Sequence, residues 1–470
     1  MAEPDRKETR LRRLFEMVRR GFAEFLKVPL LIIVGFLLVA AGTSIVDYAE
    51  IGWLQSPRKV MREYFFRDAK ATSDLLATIA GSMITVTSIT FSLLLLAVQQ
   101  AASALTHQVY DQFLRRRINQ IYFGFFVGLA VYTLVILATV DQPYNPVFGA
   151  TLALVLTVVA LMLLILLLYT TINQMRPVVV IEAIHDYTLA SRKRQQDWLG
   201  KTRRAAQPMV GVSTPVRAAT HGYVVQVDID ALGTAAKKAQ GEIVLLVSVG
   251  AYVAFHDLLA EVRAPSPDDA AILAKVVQST LRIEQQRDLD TDPAYGIEQL
   301  AIIGWTSVST AKSNPSPGLL VIHSLRDLLA RWSAESTETA APEERVSVIY
   351  TDDVFSKLLD AFETMAVVAS ESMQPQTMTE IVRTFASMFE RIPAGHREQA
   401  EDLIRRSLSA LGEHVLTAQL NTNLSLLVQA LDAAGRNKTA AEVRAAQEVL
   451  SASVGKLGSR ATRVSAACQI

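Results

Sequence analysis

The sequence has few of the residues on which metal sites and catalytic sites depend. It contains one cysteine, Cys468, which excludes an internal disulfide framework and a metal cluster built from cysteines. The seven histidines are scattered singly along the chain. No GxxxxGKS or GxxxxGKT phosphate loop, no GxGxxG turn, no HExxH and no GxSxG motif is present. We therefore predict that the protein is not an enzyme and that it holds no metal or cofactor.

The sequence also lacks an excess of charge of either sign. Lys and Arg together number 46, as do Asp and Glu, so the net charge gives no reason to expect binding to nucleic acid. By contrast, 50% of the residues are hydrophobic and the mean hydropathy is positive, which is high for a soluble protein. The composition therefore favours a protein whose main partner is a lipid bilayer.

Four stretches are long and apolar enough to cross a membrane, which takes about 20 predominantly apolar residues. They lie at residues 28–46, 74–98, 122–140 and 147–172. After residue 172 no stretch meets the same length and hydropathy. We predict a mainly α-helical membrane protein with a four-span transmembrane domain over residues 28–172.

The distribution of Lys and Arg around these spans predicts their orientation. With the N-terminus inside, the segments on the cytoplasmic side contain eighteen basic residues, whereas those on the outer side contain five. Because cytoplasmic loops are the ones enriched in Lys and Arg, we predict an inner (plasma) membrane protein with both termini in the cytoplasm.

The first 27 residues form a basic segment with apolar residues at helical spacing. Two interpretations remain open: an amphipathic helix on the inner leaflet, or an ordinary anchoring flank of the first span. On the first interpretation the segment contacts anionic lipid through Arg12, Arg13, Arg19 and Arg20.

The remainder of the chain is predicted to be cytoplasmic and to have three parts. Residues 173–208 are a basic helical connector. Residues 209–264 are rich in Val and Ile between turn glycines, which predicts three to five short strands in a small β-sandwich. The order of these strands resembles biotinyl and lipoyl carrier modules, but no suitable lysine follows, so no prosthetic group is expected. Residues 265–470 show amphipathic helical blocks typical of an α-helical bundle.

Three aspartates alternate with other residues in this last part: Asp288, Asp290 and Asp292. The pattern is compatible with a Ca²⁺ loop, but the glycine at the sixth position and the terminal glutamate of such a loop are missing. Asp292 precedes Pro293, and that pair is typical of the start of a turn or a helix. We predict that Asp292 is a helix cap.

The second span carries an unusual stripe of polar side chains. The stretch SMITVTSITFS at 82–92 contains six hydroxyl residues. At about 100° per residue, one set of polar residues falls within an arc of roughly 120° on a helix. This set comprises Thr78, Ser82, Thr85, Ser88, Ser92, Gln99, Gln100 and Ser103. Thr87 and Thr90 point the other way.

Two interpretations of this stripe compete. Small and hydroxyl residues allow helices to pack closely in a membrane. Alternatively, the stripe lines a water-filled pore in a symmetric oligomer, because lipid offers polar groups no partners. The Gly124-x-x-x-Gly128 spacing in the third span favours helix packing.

Three of the predicted spans have an aspartate at the end that faces the outer side of the membrane. Asp47, Asp74 and Asp141 lie at the outer ends of spans one, two and three. They are interpreted either as ordinary interfacial caps or as an acidic collar around the outer mouth of a pore. No Asp, Glu, Lys, Arg or His lies deep inside any span, which disfavours an active transporter.

Three blocks in the sequence resemble a known family. SITFSLLLLAVQQAAS (88–103), GFFVGLAVYTLVIL (124–137) and RDLDTDPAYGIEQLAIIGWTSVS (287–309) occur in this order. Together they resemble the bacterial membrane proteins grouped as domain of unknown function 2254, over roughly residues 30–430. The chain departs from the family pattern at STAKSNPSP, where Asn314–Pro315 keeps part of an expected Asn-Asp-Pro. The resemblance implies an architecture but no activity.

From the residues themselves we predict a homo-oligomeric passive pore or ion channel. The second span would line it, and the cytoplasmic domains would gate or cap it. The alternative is a non-conducting membrane scaffold or sensor that docks a cytoplasmic partner.

Overall fold

The computed structural model of the protein is mostly helical, with short strands in its C-terminal part. It describes residues 26–49, 55–64, 66, 68–104, 117–141, 144–174, 176–203, 205, 211–309, 314–335, 345–411 and 414–452. The chain divides into two compact units, Met1–Arg176 and Pro177–Ile470. The predicted lipid-contacting arginines near the N-terminus lie outside the described residues.

The N-terminal unit contains five described helices. They are α1 (Lys27–Tyr48), α2 (Gln55–Tyr64), α3 (Ala69–Ala104), α4 (Arg117–Ala138) and α5 (Val147–Gln174). Among the described residues, α1, α3, α4 and α5 are long and apolar enough to cross a membrane. This confirms the four predicted spans.

Helix α4 is the centre of the N-terminal unit. It packs against α1, α3 and α5, and half of its apolar window is buried within the unit. Three of its aromatic side chains, Tyr122, Phe126 and Tyr132, are almost fully buried. The other three apolar helices expose large aliphatic side chains along much of their length, as helices in contact with lipid do.

The C-terminal unit begins with α6 (Pro177–Leu199) and continues with an α/β region. That region has the order β1 (Val212–Arg217), β2 (Gly222–Val227), α7 (Ile229–Lys238), β3 (Glu242–Leu245), β4 (Tyr252–Val253), β5 (Leu258–Ala264), α8 (Pro267–Thr280) and β6 (Leu281–Glu284). One sheet has the strand order β1-β5-β3-β7, where β7 is Val348–Ile349, and the second has the order β4-β2-β6.

The remaining helices complete the unit. They are α9 (Pro293–Val308), α10 (Ser316–Ala334), α11 (Val354–Glu371), α12 (Pro375–Met388), α13 (Ala394–Leu411), α14 (Ala418–Ala433) and α15 (Asn437–Ala452). Helix α9 packs against α6, α10 and α11. Because α6 buries Ile181, Ile184 and Thr188, it belongs to the body of the unit, whereas the sequence predicted a connector.

The strand pairing crosses the boundary predicted after residue 264. Strand β6 pairs antiparallel with β2, and β7 pairs parallel with β3 through Ile243–Val348 and Val244–Ile349. Both strands lie in the segment that was predicted to be helical throughout. The β region also contains the helices α7 and α8, so it is larger and more mixed than the predicted sandwich over 209–264.

Candidate functional site

Helix α3 has one face packed against the protein and an opposite face that the unit leaves uncovered. Thr72, Leu76, Met83, Thr90 and Leu94 are buried on the packed face. At about 100° per residue, the centre of this face lies nearly opposite the centre of the predicted polar stripe.

The uncovered face carries the polar stripe. Those of its members whose side chains are described are all exposed in the unit: Thr78, Ser82, Thr85, Ser88, Ser92 and Gln99. A Cβ added at Gly81, on the same face, would meet no atom within 4 Å. The side chains of Gln100 and Ser103 lie outside the described residues. The chain's own spans therefore do not cover the described part of the stripe.

Three hydroxyls of the stripe donate hydrogen bonds to the helix backbone. Thr78 Oγ1 donates to the carbonyl of Asp74 at 2.7 Å, and Thr85 Oγ1 donates to that of Gly81 at 3.0 Å. Ser92 Oγ donates to the carbonyl of Ser88 at 3.0 Å. Each such hydroxyl keeps lone pairs that can accept a further bond from water or from a neighbouring chain.

The two threonines predicted to point away from the stripe do so. Thr87 is half-buried and donates to the carbonyl of Met83 at 2.7 Å. Thr90 is fully buried, and its Oγ1 has no hydrogen-bond partner among the described residues. A buried hydroxyl without a partner is destabilising relative to a methyl group of the same size.

The three aspartates considered for an outer mouth occupy different environments. Asp47 is 1% exposed, and its carboxylate accepts from the backbone N–H groups of Phe148 at 3.1 Å and Gly149 at 2.9 Å. It therefore caps the N-terminus of α5 from a neighbouring helix, as the interfacial-cap interpretation expects. Asp141, in the α4–α5 connection, and Asp74 are both exposed, and Asp74 falls within the arc of the stripe.

The glycine pair of α4 lies where α1 crosses it. A Cβ added at Gly124 would come within 2.8 Å of the Pro29 Cα atom, and one added at Gly128 would overlap the Phe36 ring. Close approach of two helix backbones requires small residues at these positions. The pair thus lies at a helix-packing contact within the unit.

In the C-terminal unit, the DPAYGI motif forms a buried ion pair at the start of α9. Asp292 is the N-cap, and its Oδ1 accepts from the Tyr295 backbone N–H at 3.0 Å, which confirms the predicted cap. Its Oδ2 accepts from Arg287 Nε at 2.7 Å. The Arg287 guanidinium lies 4.6 Å from the centre of the Tyr295 ring and pairs with Glu298.

Burial dominates the electrostatics of this pair. Burial raises the pKa of the Asp292 carboxyl above its usual range, and the bond from Arg287 opposes that effect. Gly250, with φ +91°, allows the preceding loop to approach the pair, because a Cβ there would overlap the Asp292 carboxylate and lie 2.8 Å from Arg287 Nη2. The sequence showed the cap, but the spacing of Arg287 gave no signal for the ion pair.

A second buried charge cluster joins three elements of the same unit. Arg192 of α6 donates to Gln195 Oε1 at 2.9 Å and pairs with Asp352 at 2.8 Å. Its Nε lies 3.6 Å from Glu335, and the guanidinium lies 5.6 Å from the Trp332 ring centre. Burial raises the pKa of Glu335, and the positive charge of Arg192 opposes part of that rise. Sequence reasoning placed Arg192 in a basic helical connector and missed this cluster.

The geometry of both clusters is that of structural ion pairs. Among the described residues, no three His, Cys, Asp or Glu side chains come together in a group that could hold a metal ion. That the protein is not an enzyme stays a prediction.

Comparison with known proteins decides the family. The family model described as "Predicted membrane protein (DUF2254)" matches residues 23–387, which is most of the chain. The chain belongs to this family. The match covers the three blocks on which the resemblance rested, and it includes all four spans of the DUF2254 protein and its buried Asp292.

Relatives of this DUF2254 protein occur in mycobacteria. Uncharacterized proteins of Mycobacterium bovis and of Mycobacterium tuberculosis strain H37Rv are each 25% identical to it over 262 residues. The match covers 53% of this chain and 50% of either relative, so the chain spans about half the length of the curated relatives it matches. No solved structure matches the chain.

Proposed function

We propose that the protein forms a homo-oligomeric passive pore or ion channel lined by α3. In this proposal it is a multi-pass protein of the inner (plasma) membrane with both termini in the cytoplasm. The C-terminal unit gates or caps the pore from that side. That the chain is a membrane protein with four apolar spans is the starting point.

The observation that carries the proposal is the position of the polar stripe. It lies opposite the packed face of α3, and its described members are exposed in the unit. Packing between the chain's own spans therefore does not explain why this face of α3 carries hydroxyl residues. A symmetric assembly of several copies would bring the stripes together around an axis, where water can bond to them.

A non-conducting assembly is the competing explanation. Because Thr78, Thr85 and Ser92 donate to backbone carbonyls one turn earlier, the stripe can also pack against α3 of another copy without any water. The oligomer would then be a scaffold or sensor whose C-terminal unit docks a partner. The two explanations differ in what lies next to Ser88 and Ser92. In a pore it is water, and in a non-conducting assembly it is the packed side chains of another copy.

Replacement of Ser92 by Leu separates these explanations. In a wet pore the leucine has room and lowers ion flux into liposomes through dewetting, while the oligomer stays intact. In a tight interface the same residue overpacks and costs about 1–3 kcal/mol, so the oligomer loses stability. Thr87→Val is the matched control, since Thr87 lies away from the stripe on the same helix.

The outcomes are read from two measurements on the same preparation, ion flux and oligomer stability. Flux by the wild type, lost in Ser92→Leu and kept in Thr87→Val, with unchanged oligomer stability, supports the pore. No wild-type flux together with a destabilised Ser92→Leu oligomer refutes the pore and leaves the scaffold. A monomer in mild detergent and in native membranes refutes both assemblies.

The orientation has its own test. Tags at the two ends should be cleaved by protease only from the cytoplasmic side, because eighteen of the flanking basic residues lie on the side of the termini and five on the other. A C-terminal reporter that is active in the periplasm would overturn the orientation.

A further inference from the structure

The turn between β4 and β5 presents a large aromatic side chain to solvent from a backbone under strain. Phe255 is 66% exposed, and His256 beside it has φ +71°. A residue with a Cβ adopts this left-handed conformation at an energetic cost, and such outliers persist where the surroundings hold them. Packing of the unit does not explain the position of Phe255, because most of its surface contacts no protein.

The surroundings hold the turn rigidly. The Asp257 carboxylate accepts from the Ala254 backbone N–H at 2.7 Å, so this charge is directed into the turn. Arg217 Nη1 donates to the carbonyl of His256 at 2.9 Å, and the His256 N–H donates to the carbonyl of Ala218 at 3.0 Å. A turn fixed in this way presents Phe255 at little further entropic cost on binding.

The residues on either side extend the apolar tip. Tyr252, the first residue of β4, is 57% exposed, and its ring meets that of Tyr223 edge-on at 5.2 Å. Leu258, at the start of β5, is 40% exposed. Within seven residues the turn therefore exposes Phe, Tyr, His and Leu side chains, with its one carboxylate engaged by the backbone.

We propose that this turn, Tyr252–Leu258, is a membrane-contact tip that inserts Phe255 into the interfacial layer of a bilayer. Exposed Phe and Leu side chains are the ones that membrane-surface segments bury at the boundary of headgroups and acyl chains, and Tyr, with an apolar body and a polar hydroxyl, is enriched at the same layer. The chain is already anchored in a bilayer by its spans, so this surface is available to the tip without a separate binding event. The inference is independent of the pore and of the orientation, since either leaflet offers the same layer.

A fluorescent label at residue 255 tests the proposal in the full chain. With Cys468→Ser as background, Phe255→Cys is labelled with an environment-sensitive dye, and the protein is reconstituted in phospholipid nanodiscs. The control is Ile272→Cys on α8, an apolar residue that is 57% exposed in the same unit. We expect the label at 255 to emit at shorter wavelength and to be quenched several-fold more by nitroxide-labelled lipid than the label at 272.

Other results overturn the proposal. Equal and weak quenching by the lipid at both positions means that the turn stays in water. A label at 255 that is shielded from aqueous iodide but not quenched by the lipid means that a second copy or another protein covers the turn. A label at Tyr252→Cys provides a second measurement and should behave like the one at 255.

Discussion

Removal of Arg287 should show how strongly the stability of the C-terminal unit depends on its buried ion pair. In Arg287→Met the methionine fills much of the space of the arginine stem, but the Asp292 carboxylate, 2% exposed, loses its charged partner. Breaking a buried pair by removing one partner costs about 3–5 kcal/mol, because the other charge stays buried without compensation. At about 1.4 kcal/mol per factor of ten, the ratio of folded to unfolded chains should fall by roughly two to four orders of magnitude.

The double variant Arg287→Met, Asp292→Asn supplies the matched control. The asparagine side chain keeps an oxygen for the Tyr295 N–H, so the cap of α9 survives while the buried charge is gone. We expect the double variant to be more stable than Arg287→Met by about 2 kcal/mol or more, because it no longer buries a charge without its partner.

The pH dependence gives a further check on the same pair. Burial raises the pKa of Asp292, so its protonated form is favoured in the folded unit relative to the unfolded chain. Protonation of Asp292 therefore stabilises the folded unit at low pH. This contribution is lost as the pH rises through the pKa that Asp292 has in the folded protein. Without Arg287 that pKa rises further, so the destabilisation of Arg287→Met should shrink as the pH falls toward about 4.

Chemical unfolding of the full chain in detergent, followed by the tryptophans of the C-terminal unit, measures these differences. If Arg287→Met costs less than about 1 kcal/mol at pH 7, or if the double variant is no more stable than the single one, the buried pair does not act as described.

Three smaller predictions concern single side chains. Gly250→Ala should lower the stability of the C-terminal unit by about 1–3 kcal/mol, measured by the same unfolding, because its φ is positive and the added methyl overlaps Asp292. Asp47→Ala should lower the thermal stability of the membrane unit by about 1 kcal/mol or more through loss of the α5 cap, and Asp47→Asn should restore part of it. Thr90→Val should leave the thermal midpoint unchanged or raise it, since its buried hydroxyl has no partner among the described residues.

The sequence predicted the membrane part well because hydropathy over about 20 residues is a strong signal. The helices begin and end near the predicted residues, with α3 extending from Ala69 to Ala104 beyond the predicted 74–98. The flanking residues there, AKATS and QQAASA, are compatible with a helix although they are less apolar than the span itself. Helical periodicity also placed Thr90 opposite the stripe correctly, but it could not say which face the other spans cover.

The C-terminal unit was predicted less well because its contacts are distant in sequence. Strand β7 has two residues and pairs with β3 more than a hundred residues earlier, and so short a segment shows no alternation of polar and apolar residues. Arg192 lies in a run of basic residues whose composition indicates solvent exposure. Its burial depends on Asp352 and Glu335, which no local pattern relates to it.

Accessibility of position 88 to an aqueous thiol reagent tests the central claim most directly. In the Cys468→Ser background, Ser88→Cys and the buried control Thr90→Cys are reconstituted in liposomes and treated with a charged, membrane-impermeant reagent. A pore lined by α3 predicts that the thiol at position 88 reacts rapidly, that the thiol at position 90 does not, and that modification at 88 reduces ion flux. If the thiol at position 88 is as unreactive as the one at position 90, the stripe faces lipid or another helix, and the protein is not a pore lined by α3.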